Sequence, residues 1–217
     1  MDNIKTSKKH ERGSALVEFA LCFSLFWMPL FLGTYEIGFS LMREVQLTQV
    51  CRDAGHMYSQ GTDFSQPEPR ALLTSLAPAN FRMSPATASP AGNTVLYLST
   101  VLYVDDSVCP KGVQRDGSKC PNYKTVVFTR QIPVGNTSLH KGNFGGPNAP
   151  GAVDASYNVL HPLTDPNAVA TGFPSAMLTT AAISSNSAYM SEMYVNSPDL
   201  SFWSYLGTPG EYARSIF

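Results

Sequence analysis

Residues 13–35 read GSALVEFALCFSLFWMPLFLGTY, and this stretch decides the fold. Glu18 is its one charged residue, and the next charge along the chain is Glu36. An α-helix needs about 20 apolar residues to cross the ~30 Å hydrocarbon core of a bilayer. The stretch therefore predicts a membrane-spanning helix near the start of the chain.

The charges that precede this helix predict its orientation. Residues 1–12 contain Lys5, Lys8, Lys9 and Arg12 against two acidic residues. Basic residues beside a membrane helix stay on the cytoplasmic side. We therefore expect the N-terminus in the cytoplasm and the C-terminal bulk of the chain outside.

The helix has three possible interpretations, which differ in how they account for Glu18. A cleaved secretory signal would have a shorter apolar region and a small-x-small cleavage site, which residues 33–36 match poorly. An ordinary signal anchor leaves Glu18 unexplained, because a carboxylate in lipid costs about 3 kcal/mol unless it finds a partner. A cut between Gly13 and Ser14 would create an α-amine four residues before Glu18. Such an amine on an adjacent copy or homologue could neutralise the carboxylate.

The sequence around this position resembles a known processing site. Residues 8–13 read KKHERG and are followed by SALVEF, which is similar to the prepilin-peptidase site of type IV pilin-like proteins. The segments RGSALVEFAL (12–21), GTYEIG (33–38) and CRDAG (51–55) together resemble the TadE-like family. Members of that family are minor pilins or pseudopilins of the Tad (tight-adherence, Flp) pilus system. A much weaker resemblance continues in the segment 188–195.

The resemblance implies specific roles and partners. Prepilin peptidase would cut between Gly13 and Ser14, and Glu18 with its neighbour Phe19 would serve in assembly. The chain would lie in the bacterial inner membrane with its C-terminal domain periplasmic or extracellular. Its partners would be other Tad pilins or pseudopilins and the assembly platform, in the pilus or a related secretion filament.

Two other functions remain open at this stage. The first is a single-pass, membrane-anchored extracytoplasmic binding domain. The second is a secreted hydrolase, which the sequence does not favour, since it contains no P-loop, G-x-S-x-G, H-E-x-x-H or C-x-x-C motif. We therefore expect no enzymatic activity and no cofactor.

The apolar helix is expected to continue past the membrane. Ile37, Leu41 and Val45 recur on one face with helical spacing. A helix over residues 14–58 would be about 65 Å long at 1.5 Å per residue, which exceeds a bilayer. Its second half should therefore rest on a globular part, and Pro29 should disturb the helix within the span.

The remaining residues, 59–217, predict an extracytoplasmic α+β domain that follows a leader (1–13) and the helix (14–58). Ser65 and Glu68 have the spacing of a capping box before a short helix over 70–77. β-Branched and aromatic residues predict strands, and the first two should pair antiparallel. These strands cover 94–104, 123–134 and 187–195, beside a long loop at 135–176 and an aromatic patch at 202–206. The expected architecture is one long helix laid on a small antiparallel sheet, rich in loops.

The connection between the first two strands contains two cysteines. Cys109 and Cys120 flank an Asp-Gly turn, so they should be close enough to form a disulfide outside the cytoplasm. Asp105, Asp106 and Asp116 lack the spacing of an EF-hand, and no second cysteine pair or histidine has zinc-ligand spacing. We therefore expect no metal site, and we expect Cys22 and Cys51 to be free.

The amino-acid composition argues against one further class of protein, the nucleic-acid-binding proteins. The 217 residues are 43% hydrophobic and 14% charged, with a formal net charge of −1. A core can form, but a general basic surface that would hold nucleic acid is absent from the sequence. We expect no nucleic-acid partner.

Overall fold

The structure is a computed structural model that describes residues 11–114, 117–147, 151–179, 186–198 and 210–217. Residues 1–10 of the expected leader, Asp116 and the aromatic patch at 202–206 lie outside the described residues. The α+β class is confirmed: a long N-terminal helix is combined with a four-stranded antiparallel sheet.

The long helix has two α-helical parts, α1 (Glu11–Cys22) and α2 (Met28–Ser59), joined by a π-helical turn, Phe23–Trp27. This turn ends two residues before Pro29, whose ring has no N–H and would clash with the carbonyl of Leu25 in a regular helix. The break in regular α-helix that was predicted from Pro29 is therefore present as one π-helical turn. By length and composition, Gly13–Ser59 is long and apolar enough to cross a membrane.

The sheet contains β1 (Thr94–Tyr103), β2 (Val126–Gly135), β3 (Ser187–Asn196) and β4 (Gly210–Ile216), in the order β2-β1-β3-β4. Every neighbouring pair is antiparallel, and β1 and β2 pair with one register shift between Thr100 and Val101. Two shorter α-helices are α3 (Pro67–Leu76) and α4 (Ala176–Thr179). Single 3-10 turns occupy Ala79–Phe81, Pro110–Gly112 and Pro166–Ala168.

Helices cover one face of the sheet. α2 packs against β3 and β4, and Leu73 of α3 is buried in the same core as Ile132 of β2. Leu96 and Leu98 of β1 also point into this core, so the residues between them point to the opposite face. A second core on that face lies under loops and includes Phe128 and Phe173.

Two details of the sequence-based prediction were wrong or incomplete. The predicted capping box does not form, because Gln66 is the N-cap of α3 without a side-chain cap bond, and the Ser65 hydroxyl donates instead to Asp63 Oδ2 (2.8 Å). Strand β4 was not predicted. The long loop that follows β2 is held beside β2 by two single β-bridges. One joins Arg130 to Asn158 and the other joins Val127 to Val169.

Candidate assembly site

The first turns of α1 contain the residues predicted to be cut and to assemble. Gly13, Ser14 and Glu18 are all exposed. The Ser14 hydroxyl donates to Glu18 Oε1 at 3.1 Å, and no basic side chain in the described part of the chain pairs with this carboxylate. Phe19 is 68% exposed and stacks on Phe23, with 6.2 Å between ring centroids. A hydroxyl donor satisfies one lone pair but does not compensate the charge, so Glu18 remains available to a cation from another chain.

We call residues 13–59 the stem. Ser40 is hydrogen-bonded to Glu211 of the sheet, and the 27 residues that precede it, 13–39, form about 40 Å of helix at 1.5 Å per residue. This length exceeds the ~30 Å hydrocarbon core by a few helical turns. Most large apolar side chains of this segment are exposed, and Leu32 is half-buried. Exposed large side chains of the stem are Leu16, Val17, Phe19, Leu21, Phe23, Leu25, Phe26, Trp27, Met28, Leu30, Phe31, Tyr35, Ile37, Phe39, Leu41, Met42 and Val45.

The stem joins the domain at a buried polar contact. Arg43 is 6% exposed and faces Glu211 at the start of β4. Glu211 accepts hydrogen bonds from Ser40 Oγ (3.4 Å, to Oε1) and from Ser197 Oγ (3.3 Å, to Oε2). Burial raises the pKa of the Glu211 carboxyl, and the Arg43 charge works against that rise. This cluster lies at the position along the stem where the exposed apolar part ends and the packing against the domain begins.

C-terminal to this contact, the stem contains a segment of small side chains, and this segment lies closest to the sheet. Cys51, Ala54 and Gly55 are buried. A Cβ atom on Gly55 would lie 2.3 Å from Phe217 Cε2 and 2.6 Å from Ser191 Oγ. The segment CRDAG therefore has a packing role: its small residues let the helix backbone approach β3 and β4.

Cys51 adds a polar contact at this close approach. Its thiol lies 3.4 Å from Ser191 Oγ and 3.5 Å from the Ser191 carbonyl, and Ser191 Oγ donates to the Cys51 carbonyl at 2.8 Å. Burial raises the pKa of the Cys51 thiol to about 11, so this thiol is protonated and unreactive. Cys51 is buried and Cys22 is exposed, and both are free, as expected.

The stem and the sheet are aligned along a common direction. Ser40 contacts Glu211 at the start of β4, whereas Tyr58 contacts Thr100 (2.8 Å between hydroxyls) near the end of β1. The connection from β1 to β2 therefore lies at the end of the domain farthest from the bare apolar helix. Cys109 and Cys120 form the predicted disulfide in that connection.

Removing this disulfide is expected to destabilise the distal end of the domain. Its cysteines are 11 residues apart, and closure of such a loop is worth about 3 kcal/mol in the loop-entropy model. The Cys109→Ser/Cys120→Ser variant should lower the free energy of unfolding by about that amount, measured by urea unfolding without reductant. Cys22→Ser is the matched control and should unfold like the wild type. A decrease below about 1 kcal/mol in the double variant would refute this prediction.

Asp105 and Asp106, the two described aspartates near the disulfide, accept hydrogen bonds from neighbouring side chains. Asp105 accepts from Ser107 Oγ (2.5 Å) and Asn186 Nδ2 (2.6 Å), and these bonds lower its pKa. Asp106 accepts from the Tyr123 hydroxyl at 2.7 Å, which likewise lowers its pKa. Among the described residues, no group of three or more His, Cys, Asp or Glu side chains is arranged to hold a metal ion.

Comparison with known families gives a match to the stem. The family model described as TadE-like protein matches residues 13–56. No curated protein and no solved structure gives a significant match. The family match confirms the resemblance seen in the sequence and ends within the stem, so the sheet and its loops lie outside it. The likeness to the TadE-like, Tad pilus-related family is therefore restricted to the helix, which by length and composition could cross a membrane.

Proposed function

We propose that this protein is a non-enzymatic, minor pilin-like or pseudopilin-like component of a Tad pilus or a related secretion filament. The observation that carries the proposal is the stem: it matches the TadE-like model over residues 13–56, and its apolar surface extends well beyond the domain. A helix of this kind can be held by lipid at first and by other apolar helices later.

Assembly begins with processing in this proposal. The basic leader keeps the N-terminus in the cytoplasm, and prepilin peptidase cuts between Gly13 and Ser14. The cut removes the Lys and Arg residues that hold a helix in one orientation across the inner membrane. The α-amine of Ser14 then pairs with Glu18 of a neighbouring pilin-like chain, while Phe19 packs between helices. The domain, residues 59–217, remains outside the membrane beside the other Tad pilins and the assembly platform.

A second candidate function is a single-pass anchored binding domain, in which the helix is a permanent anchor. A cavity of about 300 Å³ on the sheet face opposite the stem favours this alternative. The two functions differ in what they require of the helix: an anchor needs only length and apolarity, whereas an assembly component needs its particular side chains.

Exchanging the helix distinguishes the two functions. We expect a variant whose residues 14–34 are replaced by leucines to insert in the membrane and fold, because the exchange leaves the Ser40–Glu211 hydrogen bond and the buried helix residues from Arg43 onward unchanged. It should fail to restore surface pili in a strain that lacks this protein, whereas the wild-type chain restores them. The measurement is the amount of sheared pilin in the surface fraction, with disulfide formation as the control for folding. Full restoration by the leucine helix would refute the assembly role and support the anchor.

A further inference from the structure

One end of the domain lies beside the exposed apolar part of the stem. Ser40 contacts Glu211 at the start of β4, and the strand registers place Glu211 opposite Val195 and Val195 opposite Thr94. The Thr94 hydroxyl donates to the Phe81 carbonyl at 2.5 Å. These five residues therefore lie at one level across the sheet, which we call the proximal end of the domain.

The segment before β1, residues 77–93, lies at the proximal end, and we call it the proximal segment. Backbone hydrogen bonds fix it to the last residue of β2. Ser89 N–H donates to the Gly135 carbonyl at 2.8 Å, and Gly135 N–H donates to the Ala86 carbonyl at 3.0 Å. The proximal segment therefore presents a fixed surface on the side of the domain where the exposed apolar part of the stem begins.

The proximal segment carries a single charge, which is positive. Arg82 is the one charged residue between residues 71 and 104. Its side chain is exposed, and among the described residues it makes no ion pair. The Glu211 carboxylate at the same level is half-buried and faces Arg43. The guanidinium of Arg82 can therefore bind a phosphate group without giving up an existing ion pair.

Two leucines of α3 are exposed next to the proximal segment. The chain leaves the stem near Arg130, which pairs with Asp63 and lies five residues, or about 17 Å, from the end of β2. It returns to the proximal end through α3, whose last turns contain Leu72 (51% exposed) and Leu76 (62% exposed). The two side chains are four residues apart and share one face of the helix. Single exposed leucines are common on soluble domains, so this pair matters because of its position.

The length of the stem indicates where the proximal end lies relative to a bilayer. Exposed large apolar side chains recur from Leu16 to Val45, which is 30 residues or about 45 Å of helix. A bilayer is about 40–45 Å thick when its headgroup layers are included. Ser40 precedes Val45 by five residues, or about 8 Å. Lipid that covers the whole apolar surface of the stem therefore brings the proximal end into the headgroup layer.

From these positions we propose that the proximal end binds the surface of the bilayer that the stem crosses, at anionic phospholipids. Leu72 and Leu76 enter the headgroup layer, where interfacial helices bury their apolar faces by about 5–10 Å. Arg82 binds a lipid phosphate through its paired N–H donors. Both candidate functions place the stem in lipid, so this inference does not depend on the assembly role, and each can fail without the other.

Fluorescence quenching of the full-length protein in nanodiscs tests this contact. A nitrobenzoxadiazole probe is attached to Leu76→Cys in a Cys22→Ser background, since Cys51 is buried and unreactive. The nanodiscs contain phosphatidylcholine, phosphatidylglycerol and a lipid with a nitroxide on its headgroup. We expect this probe to be quenched at least about twofold more strongly than a probe at Glu68→Cys, because Leu76 lies at headgroup depth. Glu68 is the matched control, since it is exposed and lies two turns earlier in α3.

Arg82→Gln tests the role of the phosphate. In the wild type, quenching of the Leu76→Cys probe should rise with the phosphatidylglycerol content. Arg82→Gln should remove this rise and shift the equilibrium about fivefold towards the unquenched probe, because one basic residue near an anionic surface is lost. Lys119→Gln is the matched control, since Lys119 is also exposed but lies in the disulfide loop at the opposite end of the domain, and it should behave like the wild type.

Three results would overturn the proposal. The first is equal quenching of the probes at positions 76 and 68, which would place α3 away from the bilayer. The second is quenching at position 76 that changes neither with phosphatidylglycerol nor with Arg82→Gln, which would remove the anionic lipid. The third is shielding of position 76 only in nanodiscs that hold two copies of the protein, which would assign this surface to a protein contact.

Discussion

Replacing Glu18 with leucine is expected to abolish assembly while leaving the protein in the membrane. Within the described part of the chain, the partner of this carboxylate is the Ser14 hydroxyl, at 3.1 Å. In the assembled state its loss would leave the Ser14 amine of a neighbouring chain buried without a counter-charge. Breaking a buried ion pair in this way costs about 3–5 kcal/mol, which is a reduction in association of roughly 100-fold or more. Membrane insertion should become easier, because a carboxylate in lipid is unfavourable.

The measurement for Glu18→Leu is the ratio of protein in sheared pili to protein in the membrane fraction. Glu36→Leu is a matched control, since Glu36 is on the same helix but beyond the predicted span. Glu18→Gln keeps the shape of the side chain and loses its charge, so it should behave like Glu18→Leu. If Glu18→Leu were incorporated into pili as efficiently as the wild type, the carboxylate would have no role in assembly.

The second large effect is expected at Gly55. In Gly55→Val the new side chain would overlap the Phe217 ring and Ser191 Oγ, which lie 2.3 Å and 2.6 Å from the position of a Cβ atom. The helix would have to move away from β3 and β4, and overpacking of this kind costs about 3 kcal/mol. We expect that loss in the free energy of unfolding, measured by urea denaturation of the detergent-solubilised protein.

Gly38→Val is the matched control for this experiment. A Cβ atom on Gly38 would meet nothing within 4 Å, and both glycines lie in α2. Since the change in helix propensity is the same at the two positions, the difference between the variants isolates the packing term. Equal stability of Gly55→Val and Gly38→Val would contradict the close approach of the stem to the sheet.

The sequence was most informative where local chemistry determines structure. The apolar run around residues 13–35 predicts the helix, and the Asp-Gly turn between β1 and β2 predicts the Cys109–Cys120 disulfide. Strands β1 and β2 are rich in β-branched and aromatic residues, which makes them recognisable. In each case the signal lies within about a dozen neighbouring residues.

Features that depend on distant residues could not be predicted. Strand β4 reads GEYARSI and has one buried apolar position, Ala213, because the small residues of α2 lie directly above it. The Arg43–Glu211 contact joins residues far apart in the chain, and neither residue has a local motif. The capping box failed because Asp63, two residues earlier, binds the Ser65 hydroxyl. Tertiary neighbours decided the first two outcomes, and a competing local acceptor, Asp63, decided the third.

The assembly role depends most directly on the N-terminus that the membrane-inserted protein carries. Intact-mass spectrometry should be performed on the protein purified from membranes of cells with and without prepilin peptidase. We predict a chain that begins at Ser14 when the peptidase is present and one that retains residues 1–13 when it is absent. A protein that retains its leader in both strains would never expose the amine that Glu18 requires. That result would contradict the proposed assembly mechanism and support the permanent anchor.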